Sequence, residues 1–82
     1  MDPPEQQLVF FDEFSVLVIN PKGKIKRLYT PFRVRCVSSL DSIPLNAWVR
    51  VDRVSSTQQI PILYQINGNW YGFEHFSIVI NF

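Results

Sequence analysis

The chain is poor in the residues on which covalent and metal-based chemistry depend. Its 82 residues include one cysteine, Cys36, and one histidine, His75. A single cysteine excludes a disulfide within the chain. A zinc site needs more cysteine or histidine ligands than these two residues supply. The sequence therefore predicts a protein with no metal, no cofactor and no catalytic activity, and a reducing compartment is the simplest setting for a lone thiol.

Glycine is also scarce, and long hydrophobic runs are missing. Hydrophobic residues make up 46% of the chain and aromatic residues 15%, against only 3 glycines. This composition is typical of a compact β domain. No apolar run approaches the roughly 18 residues of a transmembrane helix, and the acidic start lacks the basic region of a signal peptide. We expect a cytoplasmic protein with a flexible arm over residues 1–7 and a single β domain over 8–82.

The strongest local signal is the dipeptide Asn67-Gly68, which separates two short β-prone runs. Asn and Gly tolerate the positive φ angles that a type I′ hairpin turn requires at both central positions. A two-residue loop also fixes the strand register. The predicted cross-strand pairs are Ile66 with Asn69, Gln65 with Trp70, Tyr64 with Tyr71, and Ile62 with Phe73.

Side chains alternate between the two faces of a strand, so this register sorts the hairpin residues. The predicted core face carries Ile62, Tyr64, Ile66, Tyr71 and Phe73. The opposite face carries Leu63, Gln65, Trp70 and Gly72. Trp70 is therefore either an exposed anchor for a partner or a residue covered by the apolar segment Leu8–Phe11.

Short apolar or alternating segments predict the remaining strands. In one of them Phe32, Val34 and Cys36 alternate with Arg33 and Arg35, which is typical of a half-buried strand with Cys36 in the core. Leu8–Phe11 is either an edge strand, one helical turn or a segment that docks on a partner. The other predicted strands are Phe14–Ile19, Lys24–Tyr29, Phe32–Val37, Leu45–Val54 and Ser77–Ile80.

These elements predict an all-β fold: a small barrel or a strongly bent antiparallel sheet, with an extra N-terminal hairpin and at most one or two helical turns. From Pro31 onward the order of elements resembles SH3-like barrels. The resemblance implies that Phe32–Val37 is the first strand, that Ile62–Phe73 is the central hairpin, and that Glu74-His75-Phe76 forms a 3₁₀ turn before the closing strand. It also gives Trp70 a place similar to that of the ligand-binding tryptophan. The Ala-Leu-Tyr-Asp-Tyr and Pro-Ser-Asn-Tyr motifs of signalling SH3 domains are absent.

The function that the sequence favours is a non-catalytic protein–protein interaction module or small accessory subunit. Runs such as Val16–Ile19 and Ile78–Ile80 place apolar residues on both faces of a strand, and a small chain covers both faces most readily with a protein partner or a second copy of itself. Exposed aromatic residues are typical anchors for such contacts. The candidate partner-binding residues are Trp70, Gln65, Leu63, Trp48, Arg50, Phe10 and Phe11.

The charge distribution supports an alternative. Residues 1–13 contain four acids and no base, whereas residues 22–35 contain six bases and no acid. Either the acidic segment folds back onto the basic one, or the basic segment steers a partner. Basic strands interleaved with aromatic residues bind nucleic acids in several small barrels, although the pI of about 7.9 is low for that function. The candidate nucleic-acid-binding residues are Lys24, Lys26, Arg27, Arg33 and Arg35.

Overall fold

The computed structural model describes residues 7–80, which form nine β-strands and one 3₁₀ turn. The strands build three antiparallel sheets of three strands each. The all-β class is thus confirmed. The elements are β1 (Gln7–Asp12), β2 (Ser15–Ile19), β3 (Ile25–Tyr29), β4 (Phe32–Cys36), β5 (Trp48–Val51), β6 (Arg53–Ser55), β7 (Leu63–Ile66), β8 (Asn69–Gly72), the 3₁₀ turn (Phe73–His75) and β9 (Phe76–Ser77).

The N-terminal sheet is a meander in the order β1-β2-β3. Leu8–Phe11 therefore belongs to an edge strand and does not form a helical turn. The strand begins at Gln7, one residue inside the predicted arm, and the rest of that arm lies outside the described residues. Between β2 and β3, the side-chain oxygen of Asn20 accepts hydrogen bonds from the backbone N–H groups of Lys22 and Lys24 and closes the predicted turn.

The other two sheets have the orders β5-β4-β9 and β6-β7-β8. The prediction of one continuous strand over Leu45–Val54 was wrong, because the chain bends at Asp52. β5 pairs with β4, and β6 pairs with β7. The Asp52 N–H donates to the Gln65 carbonyl oxygen, so the bend itself is held by β7. The closing strand is shorter than expected, since β9 is limited to Phe76–Ser77 and residues 78–80 are not in a strand.

The central hairpin has the predicted register. Tyr64 pairs with Tyr71 and Gln65 with Trp70. Both turn residues have positive φ, 52° at Asn67 and 81° at Gly68, as a type I′ turn requires. Beyond the last ladder pair, the Phe73 N–H donates to the Ile62 carbonyl oxygen at 3.1 Å.

The core contains the side chains that alternation assigned to it. Phe32, Val34 and Cys36 of β4 are buried, while Arg33 and Arg35 between them are exposed. Tyr64 lies at the centre, with its ring 5.7 Å from Phe32 and 5.9 Å from Phe76, centroid to centroid. The residues buried in this core are Val16, Val18, Phe32, Val34, Cys36, Ile43, Val51, Val54, Ile62, Tyr64, Ile66 and Phe76. The predicted core residues Tyr71 and Phe73 are half-buried and pack against it.

Over residues 7–80, no helix has the length and the apolar character that crossing a membrane would require. No group of three or more His, Cys, Asp or Glu side chains in this part of the chain is placed to hold a metal ion.

Candidate functional site

The N-terminal sheet has one covered face and one uncovered face. Val16 and Val18 of β2 are fully buried, and Phe10 and Leu28 on the neighbouring strands pack against the same core. The alternate side chains of all three strands point away from the core. We call this surface the outer N-terminal face; its apolar residues are Val9, Phe11, Leu17, Ile19, Ile25 and Tyr29, and the same register places Gln7, Ser15 and Arg27 on it.

Most of the outer N-terminal face is apolar, and much of it is accessible to solvent. Val9 is 42% exposed, Phe11 50%, Ile25 61% and Tyr29 62%. Leu17 and Ile19 between them are half-buried. Its polar residues are few, since Gln7 is exposed at one end, Ser15 is fully buried and Arg27 is half-buried. Polar outer side chains usually alternate with core residues in an antiparallel sheet exposed to water.

Arg27 carries a positive charge on this face, and its guanidinium is bound within the sheet. The guanidinium carbon lies 3.9 Å from the Phe11 ring centroid and 4.8 Å from that of Tyr29. Its Nε donates to the Ser15 hydroxyl and a terminal nitrogen to the Asp12 carboxylate, each at 3.0 Å. Arg27 therefore orders the two exposed rings, and its charge is already paired.

The turn that follows β1 is fixed by Asp12. Its Oδ1 accepts hydrogen bonds from the Phe14 backbone N–H at 2.8 Å and from the Ser15 hydroxyl at 2.9 Å. The pKa of Asp12 is lowered, and the hydrogen bond from the Phe14 N–H is the largest cause. Burial opposes it with the second-largest effect, and Ser15 and Arg27 lower the pKa further. Of the four acids in residues 1–13, Asp12 thus pairs with the basic segment at Arg27, whereas Glu13 pairs with Arg53 outside that segment. Asp2 and Glu5 lie outside the described residues.

Trp70 lies on a second surface, the outer face of β6-β7-β8. It is 43% exposed, so Leu8–Phe11 leaves much of it uncovered. The register places Arg53, Gln65 and Trp70 side by side across the three strands, with half-buried Leu63 one step along the same face. Arg53 is paired with the Glu13 carboxylate, and its guanidinium carbon lies 5.9 Å from the Phe14 ring centroid. These contacts join the Trp70 row to the turn that follows β1.

Trp48 lies on a third surface, the outer face of β4 and β5. Across the two strands, Arg33 is paired with Arg50 and Arg35 with Trp48. Trp48 is 54% exposed. The predicted contact between Arg50 and Asp52 is present, with Nε 2.8 Å from Oδ1.

The structure separates the basic residues that the sequence groups together. Lys24, Lys26 and Arg27 lie at or in β3, whereas Arg33 and Arg35 lie in β4 of another sheet. The seven candidate partner-binding residues are also divided. Phe11 belongs to the outer N-terminal face, Trp70, Gln65 and Leu63 to the second surface, and Trp48 and Arg50 to the third. Phe10 packs against the core.

Cys36 and His75 are not arranged as exposed reactive groups. Cys36 is fully buried, and its thiol donates to the Ser38 carbonyl oxygen. His75 is half-buried beside Glu74, with 3.5 Å between its Nε2 and the Oε1 of Glu74. An open cleft of about 580 Å³ lies nearby, lined by Leu8, Val37, Phe73, Glu74, Phe76, Ser77 and Ile78.

The most accessible companions of Phe11 are Val9, Ile25 and Tyr29. Sequence reasoning singled out neither Val9 nor Ile25, and it named Tyr29 only as an aromatic residue interleaved with the basic strands. The signal was present, because Ile25, Arg27 and Tyr29 alternate with Lys26 and Leu28 along β3. Only the pairing of β3 with β2 decides which of these two sets faces the core.

Comparison of the chain with protein-family models, with curated proteins and with solved structures finds no match in any of the three.

Proposed function

We propose that this protein is a non-catalytic protein–protein interaction module whose outer N-terminal face binds a protein partner or a second copy of the chain. The observation that carries the proposal is the accessibility of Val9, Phe11, Ile25 and Tyr29 on one side of one sheet. Large contiguous apolar patches are rare on soluble monomers and are typical of interaction sites.

The chemistry of this face indicates the kind of contact it makes. A pleated sheet surface packs against a second sheet or a helix at close range, and its aromatic residues supply most of the contact energy. Phe11 and Tyr29 are suited to that role because Arg27 holds both rings in place. Since Arg27 is already paired with Asp12, the expected partner surface is apolar and does not need an acidic group.

The Trp70 row offers a second region of contact for the same partner. Arg53 links it to the turn after β1 through Glu13 and Phe14. A partner that covers the turn would then reach Gln65 and Trp70 across β6-β7-β8. This arrangement supports Trp70 as an anchor of the interaction.

We further propose that residues 31–80 form an SH3-like barrel. The support is the order β5-β4-β9 in one sheet and β6-β7-β8 in the next, joined by the bend at Asp52 and followed by the 3₁₀ turn before β9. Trp70 would then have a position similar to the ligand-binding tryptophan of that family. Because the tyrosine motifs of signalling SH3 domains are absent, we do not propose a proline-rich peptide as the ligand.

The test is a pull-down of the tagged protein from host-cell lysate after nuclease treatment, with two matched variants. Ile25→Lys places a charge on the outer N-terminal face, and Leu45→Lys makes the same change at a residue that is 54% exposed in the loop between β4 and β5. Sedimentation equilibrium of the purified proteins measures self-association in parallel.

We expect a protein complex or a dimer that forms with the wild type and with Leu45→Lys but is lost with Ile25→Lys. Both sites are exposed, so both variants should keep the wild-type thermal unfolding. Equal capture and equal molar mass for all three proteins would overturn the proposal.

A further inference from the structure

We infer that the outer face of β4 and β5 binds single-stranded nucleic acid. This arginine–tryptophan face consists of Arg33, Arg35, Trp48 and Arg50. It belongs to a different sheet from the outer N-terminal face, and the inference goes beyond the proposed protein-binding function.

The register makes the four side chains neighbours. Arg33 is directly opposite Arg50, and Arg35 is directly opposite Trp48. Directly opposite residues have Cβ atoms roughly 5 Å apart, and alternate residues of one strand are about 6.6 Å apart. The Cβ atoms of the four residues therefore form a compact rectangle from which three arginine side chains and one tryptophan extend.

The charge of this face is poorly compensated. Among residues 7–80, the side chains of Arg33 and Arg35 make no ion pair and no hydrogen bond. Arg50 uses its Nε for Asp52. In this respect Arg50 resembles Arg27, which is paired with Asp12, and Arg53, which is paired with Glu13, so Arg33 and Arg35 carry the uncompensated charge of the face.

Arg33 and Arg50 lie directly opposite each other, and like charges in this arrangement repel each other, with part of the Arg50 charge offset by Asp52. An anion bound between them removes this repulsion. The fork of an arginine fits a phosphate group in a bidentate manner. The geometry thus points to a ligand with at least two phosphate groups along its length.

The exposed indole of Trp48 indicates which kind of polyanion binds this face. Bases of a single strand stack on aromatic rings, and this stacking accepts every base because each has a π-face. An acidic peptide or a lipid headgroup binds arginines but presents no base to stack on the ring. A duplex would offer phosphates while keeping its base faces stacked inside. A single strand is the ligand that uses all four residues.

The expected binding is weak and salt-dependent. Three arginines that neutralise three phosphates give a slope of about −2 for the logarithm of the association constant against the logarithm of salt concentration. Binding dominated by such contacts has Kd values of roughly 10⁻⁴ to 10⁻⁶ M at physiological salt.

The test is fluorescence anisotropy of labelled oligothymidylate and oligouridylate, titrated with the full chain at several salt concentrations. Arg33→Glu with Arg35→Glu reverses two charges on the face. Lys22→Glu with Lys24→Glu makes the same change in net charge at exposed residues of the turn between β2 and β3. We expect the arginine reversal to weaken binding at least tenfold and the lysine reversal to weaken it less than threefold.

Trp48 is tested by a matched pair of variants. Trp48→Ala removes the ring and should weaken binding about fivefold to 150-fold, the range for loss of one stacked base. Trp48→Phe retains a stacking surface and should preserve most of the affinity. Equal effects of the two variants would show that the ring does not stack on a base and would overturn the inference.

Other results of these titrations would also contradict the inference. Equal losses of affinity from the arginine reversal and the lysine reversal would show that binding depends only on the net charge of the protein. Tighter binding of a duplex, of polyglutamate or of anionic lipid vesicles would assign the face to another ligand. Ile25→Lys changes the outer N-terminal face and should bind the oligonucleotides like the wild type. Failure of the protein-binding proposal is therefore distinguishable from failure of the nucleic-acid-binding inference.

Discussion

The hydroxyl group of Tyr64 allows a sharp test of the packing at the centre of the fold. Tyr64 is fully buried between Phe32 and Phe76. Its hydroxyl oxygen is buried too and has no hydrogen-bond partner among residues 7–80. A buried polar group without a partner costs roughly 1–3 kcal/mol of stability. Tyr64→Phe removes this group and keeps the ring.

We therefore expect Tyr64→Phe to increase the free energy of unfolding by about 1 kcal/mol near pH 7, after a small loss of packing around the missing oxygen. For a domain of this size, such a change raises Tm by about 4–8 °C. Thermal and urea unfolding followed by circular dichroism would measure it. Loss of 1 kcal/mol or more would refute the reasoning, because it would show that the hydroxyl makes a stabilising hydrogen bond.

The pH dependence gives an independent readout of the same residue. Burial raises the pKa of Tyr64 above its ordinary value of 10.0. The unfolded chain therefore releases this proton at lower pH than the folded chain does, and stability falls as pH rises above about 10. We expect the wild type to lose stability over this range more steeply than Tyr64→Phe. Parallel curves would contradict the assigned burial of the hydroxyl.

Three further predictions concern the turns and the exposed tryptophan. The lowered pKa of Asp12 means that its carboxylate stabilises the fold above its unfolded pKa, near 4, and that this stabilisation is lost as pH falls through the lower folded value. Asp12→Asn should therefore show a smaller loss of Tm than the wild type between pH 5 and about 2. Trp70→Ala should weaken partner capture in the pull-down and keep cooperative unfolding, because the ring is largely outside the core. Gly68→Ala should lower the free energy of unfolding by about 1 kcal/mol through its positive φ alone, since nothing lies within 4 Å of the added Cβ.

Each of these predictions has a clear contrary result. If Asp12→Asn lost as much Tm as the wild type between pH 5 and about 2, the contacts with Phe14 and Arg27 would not hold the carboxylate. Loss of cooperative unfolding in Trp70→Ala would place the ring in the core. A drop well beyond 1 kcal/mol for Gly68→Ala would mean that the turn makes contacts other than those described, and Asn67→Gly, which tolerates the same φ, is the neutral control.

The hairpin around Asn67 and Gly68 and the alternation of Phe32–Cys36 could be predicted from the sequence, because both depend on local chemistry. Turn type follows from two residues, and a strand of period 2 shows its faces directly. The bend at Asp52 could not be predicted in this way. It depends on the change of partner from β4 to β7, and local propensity carries no information about that change.

The candidate surfaces are still harder to predict from the sequence, because they depend on the register between strands that are far apart in the chain. Arg33 and Arg50 are 17 positions apart in the chain, and only the pairing of β4 with β5 makes them neighbours. Arg27 was grouped with the other bases by sequence, but the turn after β1 brings Asp12 and Ser15 to it. Charge runs along a chain therefore indicate less about its surfaces than the pairing of its strands.

Site-specific photo-cross-linking tests the proposed docking role of the outer N-terminal face most directly. A photoreactive phenylalanine analogue is placed at Ile25, which is 61% exposed on this face, or at Leu45, which is 54% exposed elsewhere. After irradiation in host cells and nuclease treatment, we expect a discrete protein adduct from position 25 that disappears when Tyr29→Lys is added. The mass of the adduct distinguishes a second copy from another protein. Adducts of equal yield from both positions, or none from position 25, would contradict the assignment of this face as the binding surface.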